Sequence, residues 1–263
     1  APGRAKTAAT STGEASVSAT TTPGDPATTT TTPSGRLTTT TTTAAAVGGC
    51  PDPRGCPNYR LYGGRWPTDA NGTTTIHYRL KTDGHTPSNT PPITPEQLID
   101  ANRRATETWM NAVPNLRLVY DGTTSEAPNS RNNVIGWGAT TTVVPGGAET
   151  RFTPGPAGPT YAGFSVYLYP TQAFAYHPCD AIRGPCVDDS PALGHDLQGF
   201  LTHEWGHVLG LDHVNDQADT DELTMHSGGQ RNYRHMASLG LGDVLGARNL
   251  YPTSAPIPTL YRP

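Results

Sequence analysis

The stretch His203-Glu204-Trp205-Gly206-His207-Val208-Leu209-Gly210-Leu211-Asp212-His213 constrains this chain more than any other, because it contains every fixed position of the pattern H-E-x-x-H-x-x-G-x-x-H. On a helix, residues four apart lie one turn above another on the same face, so His203 and His207 offer two imidazole nitrogens to one point. Gly210 is free to take a left-handed backbone conformation that ends the helix and turns the chain back, letting His213 bring a third nitrogen from outside it. Three protein ligands leave the fourth position of a tetrahedral zinc ion open, which is the arrangement of a catalytic rather than a structural site. Zinc lowers the pKa of a water in that position from about 15.7 to near 7. Glu204 stands beside the histidine pair, displaced from the ligand line but within reach of such a water, where a general base is needed. A solvated helix face would account for two histidines at helical spacing. It would not account for Gly210 and His213, which fall where a helix break and a returning ligand require them, and a zinc held only for folding would leave Glu204 without a role.

The rest of the 263-residue chain supports one fair-sized domain with appendages. Residues 1–47 are dominated by Thr, Ala, Ser, Pro and Gly, with threonine runs at Thr28–Thr32 and Thr38–Thr43. Such a segment buries too little apolar surface to offset a chain entropy of about 1–2 kcal/mol per residue, so disorder is expected, in the manner of a flexible and O-glycosylated stalk or of an unmodified leader. The formal net charge is −4 and the Lys and Arg residues form no basic run, which argues against nucleic acid as a partner. No stretch approaches the ~18 consecutive apolar residues of a membrane span. The chain begins at Ala1 without a methionine or a charged-then-apolar leader; a mature secreted protein reads this way, and so does a trimmed chain.

Four cysteines, Cys50, Cys56, Cys179 and Cys186, fall into two close pairs. Three connectivities are open, and proximity favours Cys50–Cys56 and Cys179–Cys186. Neither pair has C-x-x-C spacing, so a zinc ribbon or a thiol redox site is not expected. Paired cysteines after a Thr-rich segment point outside the cytoplasm.

Residues 48–58 read as a cysteine-stapled lead-in, 59–252 as the folded domain and 253–263 as a tail. Within the domain, Thr73–Leu80 alternates apolar and polar residues as a strand does. A helix follows with a clear start: Thr94 caps it, Pro95 suits its first position and Gln97 completes a capping box. Leu98, Ala101, Ala105, Trp109 and Ala112 recur at helical spacing until Pro114 stops the run. Leu116–Tyr120, Asn133–Trp137, Glu149–Thr153 and Tyr161–Tyr169 are further strands, Glu149–Thr153 as a short edge strand. Asp196 caps the helix of the histidine motif, and Gly242–Leu250 forms a last helix. This order describes an α+β domain with a mixed sheet.

At His203–His213 the chain resembles the metzincin zinc endopeptidases and, within them, the matrixins. Met225 stands where that family's Met-turn passes beneath the metal, Asp196-Leu197-Gln198 through Leu201-Thr202 is similar to its run-up to the zinc helix, and Gly242–Tyr251 is similar to its C-terminal helix, which commonly ends in Leu-Tyr. The resemblance covers roughly Arg65 to Pro252. It implies a zincin fold: a twisted mixed sheet with a long helix above a horizontal cleft, the zinc helix as the cleft floor, and a small C-terminal subdomain with the final helix. It implies one Zn2+ held by His203, His207 and His213, with Glu204 as general base and then general acid, and Gly210 and Met225 in support. The substrate it implies is a polypeptide, paired in extended form with the edge strand near Glu149–Thr153.

The chain departs from the matrixin pattern at several points. Val214 replaces the usual serine after the third histidine, the His-x-Asp signature of a second zinc is missing between Gly138 and Gly163, and calcium loops are not recognisable, so those ions are not expected. Ser227 stands where some metzincins carry a tyrosine ligand, and Tyr233 lies too far along for that role. Pro53-Arg54-Gly55-Cys56-Pro57 is faintly similar to the latency motif of matrixin zymogens, but its residue order differs and Cys50 offers Cys56 a disulfide partner. His77, His85, His177, His195, His226 and His235 are expected in surface or packing roles rather than as ligands. The function expected from all this is that of a secreted, monomeric zinc metalloendopeptidase. A zinc hydrolase of a non-protein amide such as a cell-wall crosslink, or a non-catalytic adhesion module on the same fold, are the alternatives.

Overall fold

The computed structural model describes residues 57–88, 90–129, 131–138, 148–155, 159–186, 194–214, 223–227 and 234–258. The Thr-rich segment, Cys50, Cys56 and the latency-like motif up to Cys56, Tyr233 and residues 259–263 lie outside them.

The central sheet has five strands in the order β3 (Leu116–Thr123), β2 (Thr74–Lys81), β4 (Val134–Trp137), β6 (Tyr161–Leu168) and β5 (Ala148–Pro154). The first four run parallel, and β5 closes one edge antiparallel to β6, with Thr150 opposite Val166 and Phe152 opposite Phe164. In β2 the period-two pattern decides the facing: Thr74, Ile76, Tyr78 and Leu80 are buried while Thr75 and His77 are exposed. The buried face packs on two helices, α1 (Pro95–Ala112) and α2 (Leu197–Leu209). This is the mixed-sheet α+β arrangement expected from the element order.

α1 starts as its sequence predicts. The Gln97 amide N–H donates to Thr94 Oγ1 at 3.3 Å and the Thr94 N–H donates to Gln97 Oε1 at 2.9 Å. Leu98, Ala101, Ala105, Trp109 and Ala112 are all buried. α2 is capped by Asp196, whose Oδ2 accepts from the Gly199 N–H at 2.7 Å, and it ends at Gly210 with φ 105°. A side chain at Gly210 would also run into the Gly64 carbonyl, so both conformation and space call for glycine.

Smaller pieces frame these elements. β1 (Arg60–Leu61) pairs antiparallel with β9 (Leu211–Asp212), and β7 (Phe174–Ala175) pairs with β8 (His195–Asp196). A 3-10 turn at Arg234–Ala237 leads to α3 (Leu241–Leu250). Residues 252–258 form no helix or strand, yet they are tied down: the Arg248 guanidinium donates to the carbonyls of Ala112, Ala255 and Pro256, and Ile257 packs on the core. Cys179 and Cys186 are disulfide-bonded, and Gln198 of α2 holds that loop by exchanging two 2.9 Å hydrogen bonds with the Cys179 backbone. Among the described residues no helix is long and apolar enough to cross a membrane.

Candidate metal centre

His203 and His207 project from the same face of α2, and the left-handed turn at Gly210 brings His213 back toward them. His213 Nε2 lies 3.1 Å from His203 Nε2 and 3.0 Å from His207 Nε2. The other ring nitrogen of His203 and of His207 faces a carbonyl, which can only accept. His203 Nδ1–H donates to Thr224 O at 2.6 Å and His207 Nδ1–H donates to Leu211 O at 2.9 Å. The proton is thereby fixed on Nδ1, so the Nε2 lone pairs of His203 and His207 both face His213 Nε2. With His213 in the same tautomer, three such nitrogens around one point form a donor set that a single cation satisfies. Among the described residues this is the one His/Cys/Asp/Glu cluster close enough to hold a metal ion.

The surroundings keep these rings neutral. Burial, then the His213 ring, pushes His203 down to about 3, against the opposing pull of the Thr224 carbonyl. Burial and the neighbouring rings hold His207 well below the ordinary histidine value, and burial also lowers His213, with Asp212 opposing. His226 adds to the lowering of both His203 and His213 through its charge, so it sits near the ligands without joining the cluster. Glu204 is only 4% exposed; burial pushes its carboxyl up to about 7, against a hydrogen bond from Thr150 and with a smaller push from Glu149. Thr150 Oγ1 of edge strand β5 donates to Glu204 Oε2 at 2.5 Å, which ties the strand to the carboxylate.

Some of the supporting residues, Asp243 among them, carry no local signal in the sequence, whereas Met225 and Trp109 do. Asp243 of α3 is buried and accepts from the backbone N–H groups of Thr224, Met225 and Gly240 at 2.9, 3.1 and 2.8 Å. It therefore fixes the turn whose Thr224 carbonyl orients His203. The Val214 N–H donates to Met225 O at 3.0 Å, joining that turn to the segment after His213. Met225 is buried under α2, and a side chain on Gly206 would collide with its sulfur. Three indoles brace α2: Trp66 donates to Val208 O, Trp109 to Thr202 O, and Trp205 to Asn102 Oδ1, at 2.7, 2.8 and 2.9 Å.

The remaining histidines take other places. His77 is exposed beside Asp121, and His85 is buried, stacked on Trp137 at 4.1 Å, with Nδ1 accepting from the Ile93 N–H. His195 packs on Phe200 and Phe174. None of them, nor His177 or His235, joins the cluster of His203, His207 and His213. No family model and no curated protein matches the chain.

Proposed function

We propose that this protein is a secreted zinc endopeptidase of matrixin-like build that hydrolyses peptide bonds in extended polypeptides. The observation that carries the reading is the conjunction of three convergent imidazoles with a buried carboxylate one residue from the first of them, held by the edge strand of the sheet. The donor set suits zinc: with zinc–nitrogen bonds of about 2.0–2.1 Å, a tetrahedral centre spaces its nitrogens by ~3.3 Å, within tenths of an ångström of the separations here. His203, His207 and His213 would hold the ion, and when bound it supplies a Lewis acid that polarises a carbonyl and acidifies water.

The chain's own residues do the rest. Glu204 takes the proton of the attacking water and returns it to the departing amine, with Thr150 fixing the orientation of its carboxylate. Among the described residues β5 pairs with β6 on one side only, which leaves its outer edge for an extended peptide, and backbone pairing there binds independently of substrate sequence. That edge favours a polypeptide over a compact non-protein amide, and Glu204 with its Thr150 bond has no use in an adhesion module. The Cys179–Cys186 disulfide and the Thr-rich segment fit an oxidising compartment.

Incubation with an unfolded protein tests the reading. Cleavage that a chelator abolishes and added zinc restores is expected. A zinc-loaded protein that cleaves no unfolded polypeptide would overturn it.

A further inference from the structure

The loop closed by Cys179–Cys186 grips two different elements, one at each end. At its first end the Cys179 backbone exchanges two hydrogen bonds with Gln198, which is fully buried in the first turn of α2. At its second end the Cys186 N–H donates to Ser238 Oγ at 3.2 Å, just past the 3-10 turn. Ser238 is buried too, and its carbonyl accepts from Thr224 Oγ1 at 3.1 Å. The Thr224 carbonyl is the one that orients His203. One path of contacts therefore runs from the disulfide to the first histidine of the centre, and another to the start of the helix that bears it. Apart from the disulfide, little holds the loop in place. Its apolar contacts form a small cluster of their own, Ala181 and Cys186 against Ala237 with Cys179 alongside, separate from the main core. Its one large apolar residue, Ile182, is 43% exposed, and the Arg183 side chain beside it is 85% exposed. Side chains as small as these contribute little by burial, so the covalent link between Cα atoms 6.0 Å apart is what keeps the two anchors together.

We propose, on the basis of the zinc-peptidase reading, that Cys179–Cys186 is a redox-sensitive clamp on the metal centre, whose reduction by a dithiol lowers zinc affinity while the domain stays folded. Cys179 is the more open of the pair and is flanked by exposed Pro178 and Asp180, so attack falls on its sulfur. A thiolate of the dithiol bonds to Cys179 Sγ, the protein S–S bond breaks, and Cys186 leaves as a thiolate that takes up a proton. The second sulfur of the reductant, as thiolate, then bonds to the first, and Cys179 leaves as a thiolate and is protonated in turn. Two electrons and two protons pass from the dithiol, which ends as a disulfide, to the two cysteines. With the loop ends free to part, Gln198 loses its fixed partners and Ser238 its donor, so the Thr224 carbonyl is no longer braced through Ser238. Asp243 still holds the Thr224 N–H, which makes the expected effect a weakening of the centre rather than its loss.

Zinc affinity of the full chain, read by competition with a chromogenic chelator, tests this. Three forms are compared: oxidised protein, protein reduced with dithiothreitol, carbamidomethylated and freed of reductant, and reduced protein reoxidised with glutathione disulfide. Affinity ~10–100-fold lower after reduction and regained on reoxidation is expected, with the far-UV circular dichroism of the metal-free protein unchanged. Cys179→Ser with Cys186→Ser should bind as weakly as the reduced form and ignore the reductant, while Cys50→Ser with Cys56→Ser should keep the full response. Ser238→Ala, which retains the disulfide but removes the acceptor of the Cys186 N–H, should show part of the loss in the oxidised state. Equal affinity in folded oxidised and reduced protein overturns the clamp, as does a response that vanishes with Cys50 and Cys56. Unfolding on reduction overturns it as well, since the disulfide is then a general staple. Redox-dependent zinc binding with no cleavage of polypeptides upholds the clamp and sinks the peptidase reading, whereas cleavage with zinc affinity indifferent to reduction sinks the clamp alone. An oxidised protein that binds no zinc sinks both.

Discussion

The two long helices pack against each other but are built on opposite rules. α1 is stabilised locally: it has a complete capping box, a proline in its first turn, one buried stripe, and an outer face on which Asp100, Arg103, Arg104 and Glu107 form ion pairs at i,i+3 and i,i+4. α2 is buried along its whole length from Leu197 to Leu209, with two histidines and a glutamate inside the protein. A buried polar group without a partner costs about 1–3 kcal/mol, so α2 depends on distant segments to supply Thr150 and the Thr224 carbonyl, and on the turn just beyond its own end for the Leu211 carbonyl. The difference separates a helix that holds itself from one that the rest of the domain must hold, and the second is the one that bears His203, Glu204 and His207.

Substitutions in the supports of α2 should therefore cost far more than substitutions in α1. The largest effect is expected for Asp243→Ala, which leaves three backbone N–H groups without their acceptor. A loss of about 3–5 kcal/mol in denaturant unfolding is predicted, with metal affinity reduced ~10–100-fold. Gly206→Ala should cost about 1–3 kcal/mol because the methyl meets Met225. An unchanged midpoint would mean that the turn under α2 yields freely. In α1, Thr94→Ala should cost about 1 kcal/mol through the lost cap. Arg103→Ala should cost ~0.2–0.5 kcal/mol, since its own side chain and that of Glu107 are solvent-exposed.

Acid should distinguish the helices by pH window. In the metal-free protein, His203, His207 and His213 have folded values below their unfolded one, so their contribution is complete above about pH 6.5 and is lost as pH falls from there toward about 3. Glu204, raised to about 7, has the opposite sign: its contribution is present below about pH 4.3 and is lost as pH rises through 7. With three histidines against one carboxyl, thermal melting of the metal-free protein should weaken as pH drops below 6.5. At Asp100 of α1, burial raises the carboxyl, but hydrogen bonds from Arg104, Tyr176 and Arg103 outweigh it and bring the group to about 2. Its contribution is present above about pH 4 and is lost only as pH falls toward 2, so Asp100→Asn should change the melting profile below pH 4 and leave the limb near pH 6 in place.

The same contrast governs what the sequence makes legible. α1 could be placed from Thr94, Pro95, Gln97 and a spaced apolar stripe because its determinants lie within the helix. The motif placed His203, His207 and His213 around one point for the same reason, since a helix turn and one glycine set their geometry. The strands near Leu116, Val134, Ala148 and Tyr161 were marked by β-rich runs, though their ends differ by up to a few residues. Thr150 and Asp243 carried no such mark. Thr150 reaches Glu204 across 54 positions of sequence, and Asp243 reaches Met225 across 18. Tertiary contacts of that kind leave neither a period nor a spacing to read.

On the proposed function, one centre binds zinc through three histidines and turns over peptide bonds through Glu204. Zinc content and hydrolysis of an unfolded protein, measured side by side in wild type, Glu204→Gln and His207→Ala, test it most directly. One zinc per chain is expected in wild type and in Glu204→Gln, little in His207→Ala, and hydrolysis in wild type alone, with Glu204→Gln lower by about 10³-fold or more. A Glu204→Gln protein as active as wild type, or a His207→Ala protein that keeps its zinc and its activity, would contradict it.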